Sequence, residues 1–265
     1  MLENSLPYLQ KKLNGFVPDV CIVLGSGLAD IVKAMNINME IDYSDIPDFP
    51  RPSVLGHNGR IYIGTIGKHK IICMQGRIHL YEGYPPQIIA ELIGIIADLG
   101  VKTIIFTNAA GSLRTSIPAG SLLMISDHIN FSGRNPLVGM KEAPFFPDMS
   151  NAYDADLRNK LRKLANELNI ELYEGVYGMT LGPNYETPAE VKYFGLCGAD
   201  VIGMSTVPEV IAAVHKGMKV IGFSVVSNMG CGLTDEVINH DELLKTVYIS
   251  CADLTILLKE FLQKY

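Results

Sequence analysis

The sequence has no CxxC pair, no HExxH, no GxSxG, no Walker GK[ST] and no Asp/Glu pair at a recognisable catalytic spacing. It also has no block of five or six like charges at either end, and no uncharged apolar run near the ~20 residues a membrane span requires. Structural zinc, zinc-protease and serine-hydrolase chemistry therefore carry no mark, and the nucleophile is expected to arrive as a substrate. The 22 basic and 28 acidic residues leave a net charge of −6, which speaks against nucleic acid or an anionic membrane as partner. The five cysteines, Cys21, Cys73, Cys197, Cys231 and Cys251, are odd in number, and several sit in apolar runs where a reduced thiol packs as a small hydrophobe. The start of the chain shows no basic cluster followed by an apolar stretch. A cytoplasmic protein is predicted.

What is present is enough apolar material, 48% of 265 residues, for one large core. Short β-branched runs alternate with helical periodicity from end to end, without repeat, low complexity or linker, so one α/β domain over 1–265 is predicted, a mixed central β-sheet flanked by helices. Strands are predicted at 19–24, 60–66, 69–75, 102–107, 121–126, 172–180, 199–204 and 219–226. Gly67-Lys68 reads as a two-residue hairpin with glycine first, which makes the sheet mixed. Helices are predicted after Pro86, Asp154, Pro188 and Pro208 and from Asp241 through Lys264. Thr187 before Pro188 reads as an N-cap, and Thr206 with Glu209 as a capping box.

Six segments carry chemistry. Val23-Leu-Gly-Ser-Gly-Leu-Ala29 runs a strand into glycines and a helical stretch, where backbone N–H groups and the Ser26 hydroxyl would suit an anion; a plain tight turn needs the same glycines. It is no dinucleotide fingerprint, because Asp30 stands where the third glycine belongs. In Gln75-Gly-Arg-Ile-His-Leu-Tyr-Glu-Gly83, a two-residue period places Arg77, His79 and Tyr81 on one face if the chain stays extended: a phosphate-matching fork, a proton carrier and a sugar-covering ring, or a solvated strand face. Asn108-Ala-Ala-Gly-Ser112 lets a ligand approach the backbone, or is simply a βα turn. Tyr185 and Glu186 precede a helix start, a ring and a carboxylate for one ligand or an acid answering the helix dipole. Met204-Ser205 ends a strand before the capped helix, and Ser227-Asn228 ends the next with an amide, which on a turn is unremarkable. Ligands of open α/β sheets collect beyond strand ends, so the six together weigh more than any one.

In this order GSGL, GH at 56–57, QGRIHLYEGY, NAAG, GPNYET at 182–187, GADVIGMSTVPE at 198–209, SN and NH at 239–240 closely resemble the trimeric purine nucleoside phosphorylases, which share a superfamily with the methylthioadenosine phosphorylases. The resemblance spans nearly the whole chain. It implies that Ser26, His57, Arg77, His79, the Ala109 backbone and Ser205 hold phosphate, and that Tyr81, Met204 and His240 border the ribose. It further implies a base between Tyr185 and Ile202, Glu186 at its N1 edge and Asn228 at O6 and N7. Phe146 would enter a neighbour's site, which implies a homotrimer. Asn228, Glu186 and His79 are the expected catalytic residues, inorganic phosphate the co-substrate, with no metal or organic cofactor.

The expected reaction is phosphorolysis of inosine and guanosine and their deoxy forms, in purine salvage, since breaking the C1′–N9 bond builds positive charge on the sugar and negative charge on the purine. An Asn228 amide suits a 6-oxo group and an N7 proton; the methylthioadenosine enzymes usually carry aspartate at the corresponding position, which suits a 6-amino group. A methylthioadenosine phosphorylase, or a nucleoside-binding protein without catalysis, is the alternative.

Overall fold

The computed structural model describes residues 1–53, 58–234 and 240–265. Among these, nine strands form one mixed sheet: β1 (Val20–Leu24), β2 (Asn36–Asp42), β3 (Arg60–Ile66), β4 (His69–Gln75), β5 (Thr103–Ser112), β6 (Leu122–Asn130), β7 (Leu172–Met179), β8 (Val201–Gly203) and β9 (Lys219–Met229). Their order is β2-β3-β4-β1-β5-β8-β7-β6-β9, and β5 also pairs with β9, so β5, β8, β7, β6 and β9 close a ring. The Gly67 hairpin joins β3 to β4 antiparallel with Ile66 opposite His69, and Gly67 sits at φ 56°. β1 pairs parallel with both β4 and β5, and all five of its residues are buried, as expected of a parallel strand covered on both faces.

Six α-helices accompany the sheet: α1 (Ser5–Leu13), α2 (Pro86–Asp98), α3 (Ala155–Glu167), α4 (Pro188–Leu196), α5 (Val207–His215) and α6 (His240–Lys264). Alternation along β5 sorts them. Ile104 and Phe106 pack with Ile89, Ile93 and Val210 of α2 and α5, while Ile105 packs with Leu161, Leu254 and Leu258 of α3 and α6. The helix starts lie where their local signals put them. Asp154 accepts from the Leu157 N–H at 2.9 Å, and Thr187 exchanges hydrogen bonds with Glu190 before Pro188. None of these helices is long and apolar enough to cross a membrane.

Several expectations change. The strand predicted at 102–107 runs on through Ser112, and that at 219–226 through Met229, because the two continue to pair, Asn108 opposite Ser224 and Gly111 opposite Asn228 after a register shift. The NAAG segment is therefore strand and not a βα turn. The strand expected at 199–204 shrinks to β8. After β4 the chain does not stay extended: Gly76 turns it at φ 127°, and Leu80–Glu82 forms one turn of 3-10 helix that carries Tyr81. The glycines after β1 lead into a six-residue 3-10 helix (Ala29–Ala34), too short for a helix dipole of any consequence. Helix α1 and edge strand β2 carry no prediction at all; β2 is mostly exposed, so its burial lacks the alternation that marks a strand.

Candidate active site

All six chemistry-bearing segments meet in one cleft. It takes in about 920 Å3, open solvent at its mouth included. Ser26, Arg77, His79, Tyr81, Ala109, Tyr185, Glu186, Ile202, Met204, Ser205 and Asn228 all line it. Gly25 lets the end of β1 approach β5: a Cβ there would stand 2.7 Å from both the Asn108 Cα and the Thr107 carbonyl oxygen. The Gly25 N–H instead donates to the Thr107 hydroxyl at 3.1 Å, which brings Ser26 beside Asn108 and Ala109.

At one end lies a buried guanidinium. Arg77, 4% exposed, donates from Nη1 to the Ser205 hydroxyl at 3.0 Å and the Thr206 hydroxyl at 2.9 Å, and its Nε lies 3.4 Å from a Glu209 carboxylate oxygen. Glu209 closes the capping box of α5, accepting from the Thr206 N–H at 2.8 Å. The Ser205 N–H donates to the Tyr177 hydroxyl at 3.3 Å; burial pushes that phenol up to about 12, against the pull of the Ser205 donor, so it remains neutral.

Beside this end the His79 N–H and ring Nδ1 face one oxygen of Glu82, at 2.7 and 3.1 Å, while the Ser53 N–H and hydroxyl donate to the other at 2.6 Å each. Burial alone raises the Glu82 carboxyl, but these donors outweigh it and hold the group at about 2. An ionised carboxylate only accepts, so Nδ1 carries the His79 proton and the ring's orientation is set. The imidazole stacks on Tyr81 at 4.7 Å and 13°. Burial first, and Glu82 second, push the Tyr81 phenol up to about 12, leaving it a neutral surface.

The Glu82 carboxyl is depressed on folding, so its stabilisation is complete above the unfolded value of about 4.3 and is lost as pH falls toward the folded value. The difference in urea midpoint between wild type and Glu82→Gln is expected to stay constant above about pH 5 and to narrow below about pH 4.3. A difference as large at about pH 3 as at neutral pH would show that the carboxylate's charge contributes nothing.

The opposite end carries an amide and a carboxylate. Glu186, 9% exposed, accepts from the Thr180 hydroxyl at 2.8 Å. Asn228 accepts at Oδ1 from the Ser227 hydroxyl at 2.8 Å and donates from Nδ2 to the Met229 carbonyl at 2.9 Å. Those two neighbours set which side of the amide is oxygen and which is NH₂, and each side keeps capacity for one more hydrogen bond. Among the described residues no group of three or more His, Cys, Asp or Glu is placed to hold a metal ion.

A family profile described as the phosphorylase superfamily matches residues 19–263. The chain belongs to this family. It is 44% identical over 267 residues to purine nucleoside phosphorylase 1 of Bacillus subtilis (strain 168), an alignment covering 100% of this chain and 98% of that protein. Among solved structures it resembles the Schistosoma mansoni purine nucleoside phosphorylase in complex with adenosine, at TM-score 0.93 and 37% identity, over 99% of this chain and 96% of that one. It also resembles isoform 2 of the Schistosoma mansoni enzyme in complex with cytosine and ribose-1-phosphate, at TM-score 0.93 and 38% identity, over 99% and 95%.

Phe146, expected in a neighbour's site, is 95% exposed and does not line this cleft. His57 lies outside the described residues, as does the side chain of His240, the residue that opens α6. Others enter that carried no expectation of a site role: Asn108, Ser227, Gly111 and Cys231 line the cleft, and Glu82 and Thr180 hold its polar groups. Asn108 and Ser227 were visible in the NAAG and SN motifs, one residue from the positions singled out. Glu82 and Thr180 were not singled out, because each acts on the site through another residue: Glu82 accepts from His79 and Ser53, and the Thr180 hydroxyl donates to Glu186.

Proposed function

We propose that this chain, as a single domain over 1–265, is a purine nucleoside phosphorylase that converts inosine, guanosine and their deoxy forms to free purine and (deoxy)ribose 1-phosphate, in cytoplasmic purine salvage. The observation that carries this reading is the polarity of one cleft, with a buried cation and hydroxyls at one end and an amide with a carboxylate at the other.

In this reading phosphate is held by Arg77, Ser26, His57, His79, Ser205 and the Ala109 backbone. A phosphate oxygen bonds to C1′ as the C1′–N9 bond breaks, and the bonding pair leaves with the purine. Asn228 stabilises that charge by donating to O6 and accepting from the proton that N7 takes up from water as the bond breaks, while Glu186 accepts from N1–H. The nucleoside lies along Tyr81, Met204 and His240 and between Tyr185 and Ile202. The nucleophile is phosphate itself, so the step asks for no organic cofactor or metal. Phe146 is assigned to the base pocket of a neighbouring copy, which makes the assembly a homotrimer.

The test is purine release from inosine, guanosine and adenosine with and without inorganic phosphate. Phosphate-dependent release from inosine and guanosine, with little from adenosine, is expected. The adenosine arm matters because the Schistosoma relative is solved with adenosine. Release without phosphate would indicate a hydrolase, an adenosine preference the methylthioadenosine-type reading, and no release a binding protein.

A further inference from the structure

Among the described residues only four other than glycine have positive φ, and three of them, Asn14, Asp48 and Asn169, are exposed residues of types that tolerate it. The fourth is Thr206, β-branched, wholly buried and at φ 73°, ψ −49°. The Val207 N–H donates to the Ser205 carbonyl at 2.8 Å across it, which makes the turn a γ-turn of the rare, strained hand. Such strain persists only where the surroundings hold it, and glycine would take the same backbone without cost. A threonine at this point calls for something that its hydroxyl supplies.

The hydroxyl is a junction. Thr206 Oγ1 accepts from Arg77 Nη1 and from Asn108 Nδ2, each at 2.9 Å, and lies 3.1 Å from the Ser205 hydroxyl. Its own N–H goes to one oxygen of Glu209, whose other oxygen faces Arg77 Nε. One residue thus ties together three segments that line the cleft, and both ends of the Arg77 guanidinium refer to it. An arginine has many rotamers, so a fork held before its anion arrives loses less freedom on binding.

We infer that Thr206 is a positioning residue for the anion: its strained turn and hydroxyl hold Arg77 and Ser205 in the arrangement that receives phosphate. This rests on the phosphorylase reading above and adds to it a residue that touches neither substrate.

Three variants separate hydroxyl from backbone. Thr206→Val keeps the β-branched shape and removes the acceptor, Thr206→Gly suits the turn and removes the acceptor, and Thr206→Ser retains it. Initial rates are measured across a phosphate series at saturating inosine, and across an inosine series at saturating phosphate. The valine and glycine variants are expected to raise the phosphate KM on the order of tenfold and leave the inosine KM within about twofold, while serine keeps the phosphate KM within about threefold of wild type. If the valine variant does not fold, the glycine and serine variants decide between them. Wild-type phosphate KM in the variants without a hydroxyl, equal rises in both KM values, or a serine variant as impaired as glycine would overturn the inference. Wild-type protein that releases purine independently of phosphate would overturn the parent reading and this one together, whereas a normal wild-type phosphate dependence that the variants share would sink this one alone.

Discussion

Asn228→Asp is expected to lower kcat/KM for inosine and guanosine by about ten- to a hundredfold and to move the inosine-to-adenosine ratio toward adenosine. The substitution replaces the donor to O6 by an oxygen, so two acceptors face one another, and it sets a negative charge against a purine that is itself becoming negative. The neighbours compound the effect. The Ser227 hydroxyl can still donate to one carboxylate oxygen, but the Met229 carbonyl, now 2.9 Å from Nδ2, would face an oxygen as well. An adenine 6-amino group supplies a donor to that carboxylate, which is why the ratio moves in its favour. The decisive measurement is kcat/KM for both nucleosides in wild type and variant at saturating phosphate. An unchanged ratio would take Asn228 out of base recognition.

Arg77→Ala is expected to raise the phosphate KM by at least tenfold and to destabilise the fold by about 3 kcal/mol, the lower range for breaking a buried pair. Both effects come from one geometry. The guanidinium sits among Ser205, Thr206 and Glu209, and its loss leaves the Glu209 carboxylate, 6% exposed, without its cation. Phosphate saturation must therefore be measured well below the variant's own melting temperature, beside a urea titration. Arg77→Lys keeps a charge without the fork and should fall between the two in phosphate KM. Phosphate saturation identical to wild type in folded Arg77→Ala would remove the residue from the site.

Much of the fold was legible because its signals are local. Asp154, Thr187 with Pro188, and Thr206 with Pro208 and Glu209 mark helix starts within a few residues, and Gly67 marks a hairpin whose register follows from its length. The apolar positions of α2 at Ile88, Ile89, Leu92, Ile93 and Ile96 are all buried, and Ala90, Gly94 and Ile95 are buried with them. The lengths of β3 and β4 were legible too, but those of β5 and β9 were not. The ends of β5 and β9 are strand only because each finds the other there, and small polar residues such as Asn108, Gly111 and Asn228 carry no β signal of their own. Strand β2 is drawn into the sheet by β3 alone.

The candidate site divides the same way. Residue types made Arg77, His79, Glu186 and Asn228 candidates, each with a plain structural alternative, and the resemblance to the phosphorylases supplied their expected roles. Their state was not legible. Glu82 looks like an ordinary acid in a polar turn until four donors from His79 and Ser53 converge on it. Thr206 and Glu209 read as a helix cap until the cap is seen gripping Arg77, 129 residues earlier in the chain. The sequence alone determined most of the elements, α1 and β2 excepted, which chemistries are available and which family they resemble, because caps, turns and periodicity act over a few residues. Only the tertiary structure decided how far the strands pair, which carboxylate is held ionised and which backbone is strained, because those depend on hydrogen bonds and burial between segments that meet only when the sheet closes.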